Sequence, residues 1–219
     1  MKNITAIIPV RKSDKILKGK NNLPFGKSTL LINKIDQLKK VKLIDQIIVS
    51  TDSEEYMSIA LERGISVIRR PKKLSTISTK LPDLIEHLLE NIDSKNLLWA
   101  PVVTPFIDSS DYENSINKYF TNLNKGYDSL ISVIKLKRKI LDSNGPLNFS
   151  FYKDLNDTNI LLFQYINGIT IAPKEKMKEW KYNWGKTPYK YVLDSLKGFE
   201  ICNQTDYLMA SSMNKLLDE

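Results

Sequence analysis

The chain has 219 residues, 42% hydrophobic and 26% charged, which suits one soluble domain able to bury roughly 70% of its unfolded surface. Its net charge of +8 invites an anionic partner without choosing one, because the lysines run the whole length and excess lysine is equally a habit of solvated faces. No apolar run approaches a membrane span, "MKNITAIIPV" lacks a signal peptide's apolar centre and cleavage site, and the lone Cys202 cannot close an internal disulfide; a cytoplasmic protein with no membrane partner is expected.

Strand-like and helix-like segments alternate. "TAIIPV" (5–10), "QIIVST" (46–51), "ISVI" (65–68), "NLLWAPVV" (96–103) and "SLISVIK" (129–135) read as buried strands of a mostly parallel sheet. "TLLINKIDQLKKV" places Leu30, Ile32, Ile35 and Leu38 close to helical spacing. Asp52 with Glu55 forms a candidate capping box before "YMSIALERG", which Gly64 can close in a left-handed conformation. Pro82 suits the first turn of "DLIEHLLENI", and Ser110 with Glu113 repeats the capping pattern before "NSINKYF". After Lys135 the rhythm breaks into a polar, turn-rich stretch with "SNGP" at a loop tip, read as an insertion over 136–165 within a single domain covering 1–219. The sheet resumes at "QYINGITIA" (164–172). A turn-like "NWGKTPYKYVL", a strand "GFEIC" and a helix "DYLMASSMNKLL" complete the chain. Repeated strand–helix units with short joints predict a three-layer α/β/α sandwich with a Rossmann-like sheet.

The stretch "IIPVRKSDKILKGKNN" turns abruptly from a strand into a loop carrying Arg11, Lys12, Lys15, Lys18 and Lys20. In doubly wound sheets, ligands bind beyond the carboxyl ends of the strands, where this loop would leave the first strand. The bland alternative is a solvated lysine loop. "NNLPFGKST" imitates a P-loop, but the phosphate-cradling motif needs a glycine where Asn21 stands, and a strand directly before it.

These residues resemble the N-terminal signature of the acylneuraminate cytidylyltransferase family, which includes the CMP-sialic acid and CMP-Kdo synthetases and reads roughly I-P-A-R-x-G-S-K-x-[IL]-x-x-K-N. Arg11, Lys15, Lys20 and Asn21 fall on its Arg, Lys, Lys and Asn without a gap. Further along, "VSTDSEEYMSIALERGISVIRRPKKLS", "PVVTPF", "INGITIA" and "WGKTPYKYVLDSLKGFEICNQTDYLMA" resemble later family segments in the same order. The resemblance implies a homodimer built through the 136–165 insertion, and a Mg²⁺-dependent enzyme that transfers CMP from CTP to an acidic sugar with release of pyrophosphate. It implies triphosphate contacts from Arg11, Lys15 and Lys20, and nucleotide contacts from Asn21, Arg70, Thr79, Thr104 and Pro105. Asn167 and Gln164 would face the acceptor; Glu200, with Asp206 or Asp194, would hold the metal.

Three positions depart from the family pattern. Ser13-Asp14 replaces Gly-Ser, and an acid beside phosphate repels it. On a closing strand, Glu200 and Cys202 would take the places of two metal-binding aspartates, and a thiol is a poor Mg²⁺ ligand. "TNILLFQYING" lacks an arginine for an acceptor carboxylate. These departures motivate a rival reading, a relative with another acceptor such as a phosphonate or with weakened catalysis. A nucleic-acid-binding module, motivated by the charge and by Trp180, Tyr182 and Trp184, lacks any recognised motif, and no nucleic-acid partner is expected. That aromatic stripe reads first as core and subunit contact. His87 reads as the edge of a helix's apolar face, and Cys202 as a small buried apolar residue.

Overall fold

The computed structural model describes residues 3–12, 17–149 and 161–218. Its strands in chain order are β1 (Ile4–Pro9), β2 (Pro24–Phe25), β3 (Ser28–Thr29), β4 (Gln46–Thr51), β5 (Ser66–Arg69), β6 (Asn96–Trp99), β7 (Ser129–Lys135), β8 (Leu141–Asp142), β9 (Gly145–Pro146), β10 (Phe163–Pro173) and β11 (Pro188–Leu193). The α-helices are α1 (Leu30–Lys39), α2 (Glu54–Glu62), α3 (Leu81–Glu90), α4 (Ser109–Leu123), α5 (Lys174–Trp180) and α6 (Gln204–Asp218). Seven strands form one sheet in the order β11-β7-β10-β6-β1-β4-β5. All pairs run parallel except those of β10, which lies antiparallel to both β6 and β7.

Side chains alternate across this sheet and bury two faces. Ile8 and Val49 join Leu31, Ile35, Tyr112 and Ile116 beneath α1 and α4, whereas Ile7 and Ile48 join Leu84, Leu88 and Met177 beneath α3 and α5. The expected three-layer α/β/α sandwich is the observed one. "QIIVST" and "SLISVIK" are strands over the predicted residues, Gly64 closes α2 with φ 70°, and Pro82 sits in the first turn of α3.

Several local readings need correction. The α2 cap is Ser53, whose side chain accepts the Tyr56 N–H at 3.5 Å, and Asp52 instead accepts the Lys12 N–H at 2.8 Å. The α4 capping box is Asp108 with Asp111, two residues before the predicted pair, and an acid at each place meets the positive helix end. Strand β6 stops at Trp99, so 100–103 is loop, while "PYKYVL" in the predicted turn is the edge strand β11. Helix α5 was not foreseen. "GFEIC" is not a strand: it adds to neither edge of the sheet and crosses the loop that follows β6, where the Ile201 N–H donates to the Val103 carbonyl at 2.8 Å. Ile201 takes the core position at that crossing, which leaves Cys202 exposed rather than buried. Within the 136–165 insertion, the tip is the β8–β9 hairpin, where Asp142 Oδ1 accepts the N–H groups of Asn144 and Gly145 at 2.7 and 3.1 Å.

Candidate nucleotide-binding site

The central strand β1 runs between β4 and β6, and all three point their carboxyl ends the same way. Strand order reverses direction here, the place where open α/β sheets bind ligands. The Val10 N–H still reaches the Ser50 carbonyl at 3.0 Å; then the chain swings out as the cationic loop. Arg11 leans across to the 76–79 turn, its Nη1 donating to the Thr76 carbonyl at 3.4 Å, and Thr79 Oγ1 accepts the Thr76 N–H in the same turn at 3.0 Å. The predicted Lys15, and Asp14 beside it, lie outside the described residues. Gly19, at φ 67°, lets the chain reverse into the short turn Lys20–Asn22. Asn21 is buried there, and its amide donates to the Arg11 carbonyl at 2.8 Å, tying the two ends of the loop together.

Arg70 lies beneath this loop, 5% exposed. Its guanidinium donates to the Ser50 carbonyl at 2.9 Å and to Ser50 Oγ at 3.3 Å. Burial pulls its pKa down to about 10, against the pull of Asp52 and with the help of Arg11. Arg70 thus presents a cation from the wall, fixed by β4.

On the other side, the 194–202 segment brings the late carboxylate to the early cations. Asp194 Oδ1 accepts the Leu196 and Lys197 N–H groups, each at 2.9 Å, so Asp194 shapes the turn. Lys197 Nζ then reaches Asp108 at 2.9 Å and Asp111 at 2.7 Å, which anchors the turn to the start of α4. Glu200 follows, partly buried, with its Oε2 accepting the Asn167 N–H at 3.3 Å. Burial raises the Glu200 pKa, the Asn167 N–H and Lys20 lower it, and Asp206 raises it again. Lys20, Asn167, Glu200 and Asp206 therefore share one electrostatic neighbourhood. Cys202 belongs to it as well, its thiol pushed up by burial and then by Glu200 and Asp206. Asp206 also serves α6 directly: its Oδ2 accepts the Cys202 and Asn203 N–H groups at 2.9 and 3.1 Å.

Among the described residues, no three His, Cys, Asp or Glu side chains group closely enough to hold a metal unaided. Glu200 and Asp206 nevertheless offer hard oxygen donors in one neighbourhood. That fits Mg²⁺, which binds through one or two carboxylates and takes its remaining ligands from phosphate and water.

The other predicted residues divide. Gln164 is exposed on β10, two places before a bulge that carries Asn167. Thr104 and Pro105 are buried, and α1 takes their carbonyls: Lys34 Nζ donates to Thr104 O at 3.0 Å, while Asn33 and Gln37 donate to Pro105 O at 3.0 and 2.7 Å. These two residues support the floor of the crevice from below. Trp184 stacks on Tyr165 with ring centroids 6.0 Å apart, and Tyr182 meets Trp184 edge-on at 5.6 Å. Tyr165 feels the charge of Glu200, so this half-exposed aromatic group borders the carboxylate side of the site.

Sequence reasoning passed over Lys34, Tyr56 and Ser132. Lys34 had a signal, since it stands at the core-facing spacing of Leu30, Leu31, Ile35 and Leu38. Tyr56, buried near the start of α2, had none.

Known proteins share this architecture. The structure of CMP:2-keto-3-deoxy-manno-octonic acid synthetase complexed with CTP superposes with a TM-score of 0.70 at 11% identity, over 99% of this chain and 98% of that one. 4-Diphosphocytidyl-2C-methyl-D-erythritol synthase from Anaerococcus prevotii gives a TM-score of 0.66 at 19% identity, over 99% and 96%. These two share the three-layer α/β fold of this chain. Sequence narrows it: the pattern described as Cytidylyltransferase matches residues 5–166, and the chain belongs to that family. N-acylneuraminate cytidylyltransferase of Escherichia coli O18:K1:H7 is 28% identical over 220 residues, 97% of this chain and 52% of the relative. Its namesake from Streptococcus agalactiae serotype III is 30% identical over 218 residues, 92% and 51%. Pseudaminic acid cytidylyltransferase of Campylobacter jejuni is 26% identical over 131 residues, 57% and 56%. The chain spans about half the length of the curated relatives it matches.

Proposed function

We propose that the chain transfers CMP from CTP to an acidic sugar. The observation that carries this reading is the convergence of Lys20 with Glu200 and Asn167, residues from opposite ends of the sequence, at the carboxyl edge of the central strands. Relatives named for N-acylneuraminate and pseudaminic acid support the acceptor class.

In this reading an acceptor oxygen attacks the α-phosphorus, and the bond from that phosphorus to the β-phosphate oxygen breaks as pyrophosphate leaves. Arg11, Lys15 and Lys20 neutralise the triphosphate and the charge that builds on the departing pyrophosphate. Arg70 and the Thr76–Thr79 turn border the nucleoside, while Asn21 keeps the loop closed around it. Asn167 and Gln164 face the acceptor. Glu200 and Asp206 would hold Mg²⁺, which when bound neutralises phosphate oxygens and acidifies the attacking hydroxyl. The protein mainly positions reactants and supplies charge. A cytoplasmic homodimer built through the 136–165 segment completes the proposal, supported by the exposed Leu141, Leu147 and Leu161 on that segment.

Pyrophosphate release from CTP with a panel of sugar acids tests the reading. Lys20→Ala should lose about 2–4 kcal/mol of transition-state stabilisation, a fall in turnover of roughly 30- to 1,000-fold. Normal turnover by that variant would sink the assignment.

A further inference from the structure

Strand β10 pairs with β7 on both sides of an irregularity: Tyr165 lies opposite Val133, and Thr170 opposite Ile131. Residues 166–169 therefore stand across from the single residue Ser132. A strand pair cannot satisfy the backbone groups of such a bulge by ladder bonds alone. Here one side chain takes two of them. Ser132 is 0% exposed; its Oγ donates to the Ile166 carbonyl at 2.8 Å and accepts the Ile169 N–H at 2.8 Å. The bulge is also seated from below. A Cβ added at Gly168 would lie 2.5 Å from Ile107 Cδ1, 3.2 Å from Thr104 Oγ1 and 3.3 Å from Ser132 Oγ, so a larger residue would have to push these side chains aside. Between the two Ser132 contacts stands Asn167, whose N–H points to Glu200 Oε2 at 3.3 Å.

We propose that Ser132 is a positioning residue for CMP transfer: by clamping both ends of the bulge it holds the Asn167 backbone amide on the Glu200 carboxylate and sets the acceptor side of the site. The role claimed for Glu200 and Asn167 rests on the cytidylyltransferase reading above; the clamp rests on the hydrogen bonds. The residues of the triphosphate side sit on other elements, namely Arg11 and Lys20 on the loop after β1 and Arg70 after β5. Loss of the clamp therefore separates acceptor from nucleotide. Removing the hydroxyl frees the bulge to shift, and a displacement of about 1 Å in a reacting constellation costs on the order of 100-fold.

The experiment compares Ser132→Ala and Ser132→Thr with the unaltered protein by steady-state kinetics, by calorimetric CTP binding and by amide hydrogen exchange. Ser132→Ala should lower kcat about 100-fold and raise the acceptor KM, with CTP affinity measured in the presence of a chelator held within about twofold. Ser132→Thr keeps the hydroxyl and should restore most of kcat even where its extra methyl lowers the melting temperature, an outcome that a merely structural serine would reverse. Exchange at Ile169 should quicken about tenfold in Ser132→Ala, which reads the clamp without any substrate. Unchanged kinetics, or CTP affinity falling in step with kcat, would overturn the inference, as would unchanged exchange. An unaltered protein that binds CTP yet transfers CMP to no sugar acid would overturn the functional reading, and with it the kinetic role of Ser132, while the exchange result still judges the clamp.

Discussion

Replacing Lys34 with methionine should change how stability depends on pH, because Lys34 is a cation shut inside the protein. It is 0% exposed, with Nζ donating to the Tyr112 hydroxyl at 2.7 Å and the Thr104 carbonyl at 3.0 Å. Burial lowers its pKa from 10.5 to about 7, with Asp111 pulling the other way. Below about pH 7 both folded and unfolded chains carry the proton, and the native state bears the full cost of the buried charge. Between about 7 and 10.5 the folded chain gives up its proton first. The unfolded state then binds more protons, so stability rises with pH, by at most ~1.4 kcal/mol per pH unit. From pH 7 to pH 9 this comes to about 2 kcal/mol, allowing for half-titration at the lower end. Lys34→Met lacks the titration. It leaves the Thr104 carbonyl and the Tyr112 hydroxyl without this partner, an offset of roughly 1–3 kcal/mol that does not vary over this range. Urea unfolding of both proteins at the two pH values, followed by tryptophan fluorescence, gives the difference directly. The unaltered protein should gain about 2 kcal/mol on the variant as the pH rises. Parallel pH dependence in the two proteins would refute the claim that this lysine is buried as a titrating group.

Other perturbations probe the site more directly. Gly168→Ala forces a Cβ to within 2.5 Å of Ile107 Cδ1 in a closed interior and should destabilise the protein by about 1–3 kcal/mol in the same urea assay; a stability equal to that of the unaltered chain would show that the floor yields. Glu200→Gln keeps the shape while deleting the charge, and should slow pyrophosphate release on the order of 100-fold or more in saturating Mg²⁺. Calorimetry in the presence of a chelator should meanwhile find CTP affinity retained. Undiminished turnover would remove Glu200 from the metal reading.

Much of the fold was legible because buried parallel strands and amphipathic helices leave strong local patterns. "QIIVST" and "SLISVIK" are apolar enough to be strands on their own account, and both sit in the interior of the sheet or beside it. The failures were at edges and caps. The strand "PYKYVL" is an edge strand paired only with β7, and the turn-like "NWGKT" directly ahead of it masked its alternating pattern. Capping depends on which residue leaves helical geometry first, a matter of an ångström or two, and Ser53 displaced Asp52 once Asp52 was claimed by the Lys12 amide. Cys202 was misread for a related reason: one residue of register decided that Ile201, not its neighbour, entered the core.

For the site, the resemblance of short motifs nominated the loop of Arg11 and Lys20, the buried cation Arg70 and the late carboxylate Glu200 as candidates, because a motif is read from residues close together in the chain. It could not say that Thr104 and Pro105 would be sealed under α1, nor that a lysine, an asparagine and a glutamine from that helix would take their carbonyls. Those are long-range contacts, and no local pattern encodes a partner seventy residues away. Ser132 is the sharpest case. As a letter within "SLISVIK" it is an unremarkable small polar residue in a strand. Only the antiparallel pairing of β10 against β7 places four backbone residues across from it and gives its hydroxyl two groups to satisfy. Side-chain chemistry and strand identity come from the chain itself; which hydroxyl clamps which bulge, and which cation meets which carboxylate, follow from the way distant segments pack.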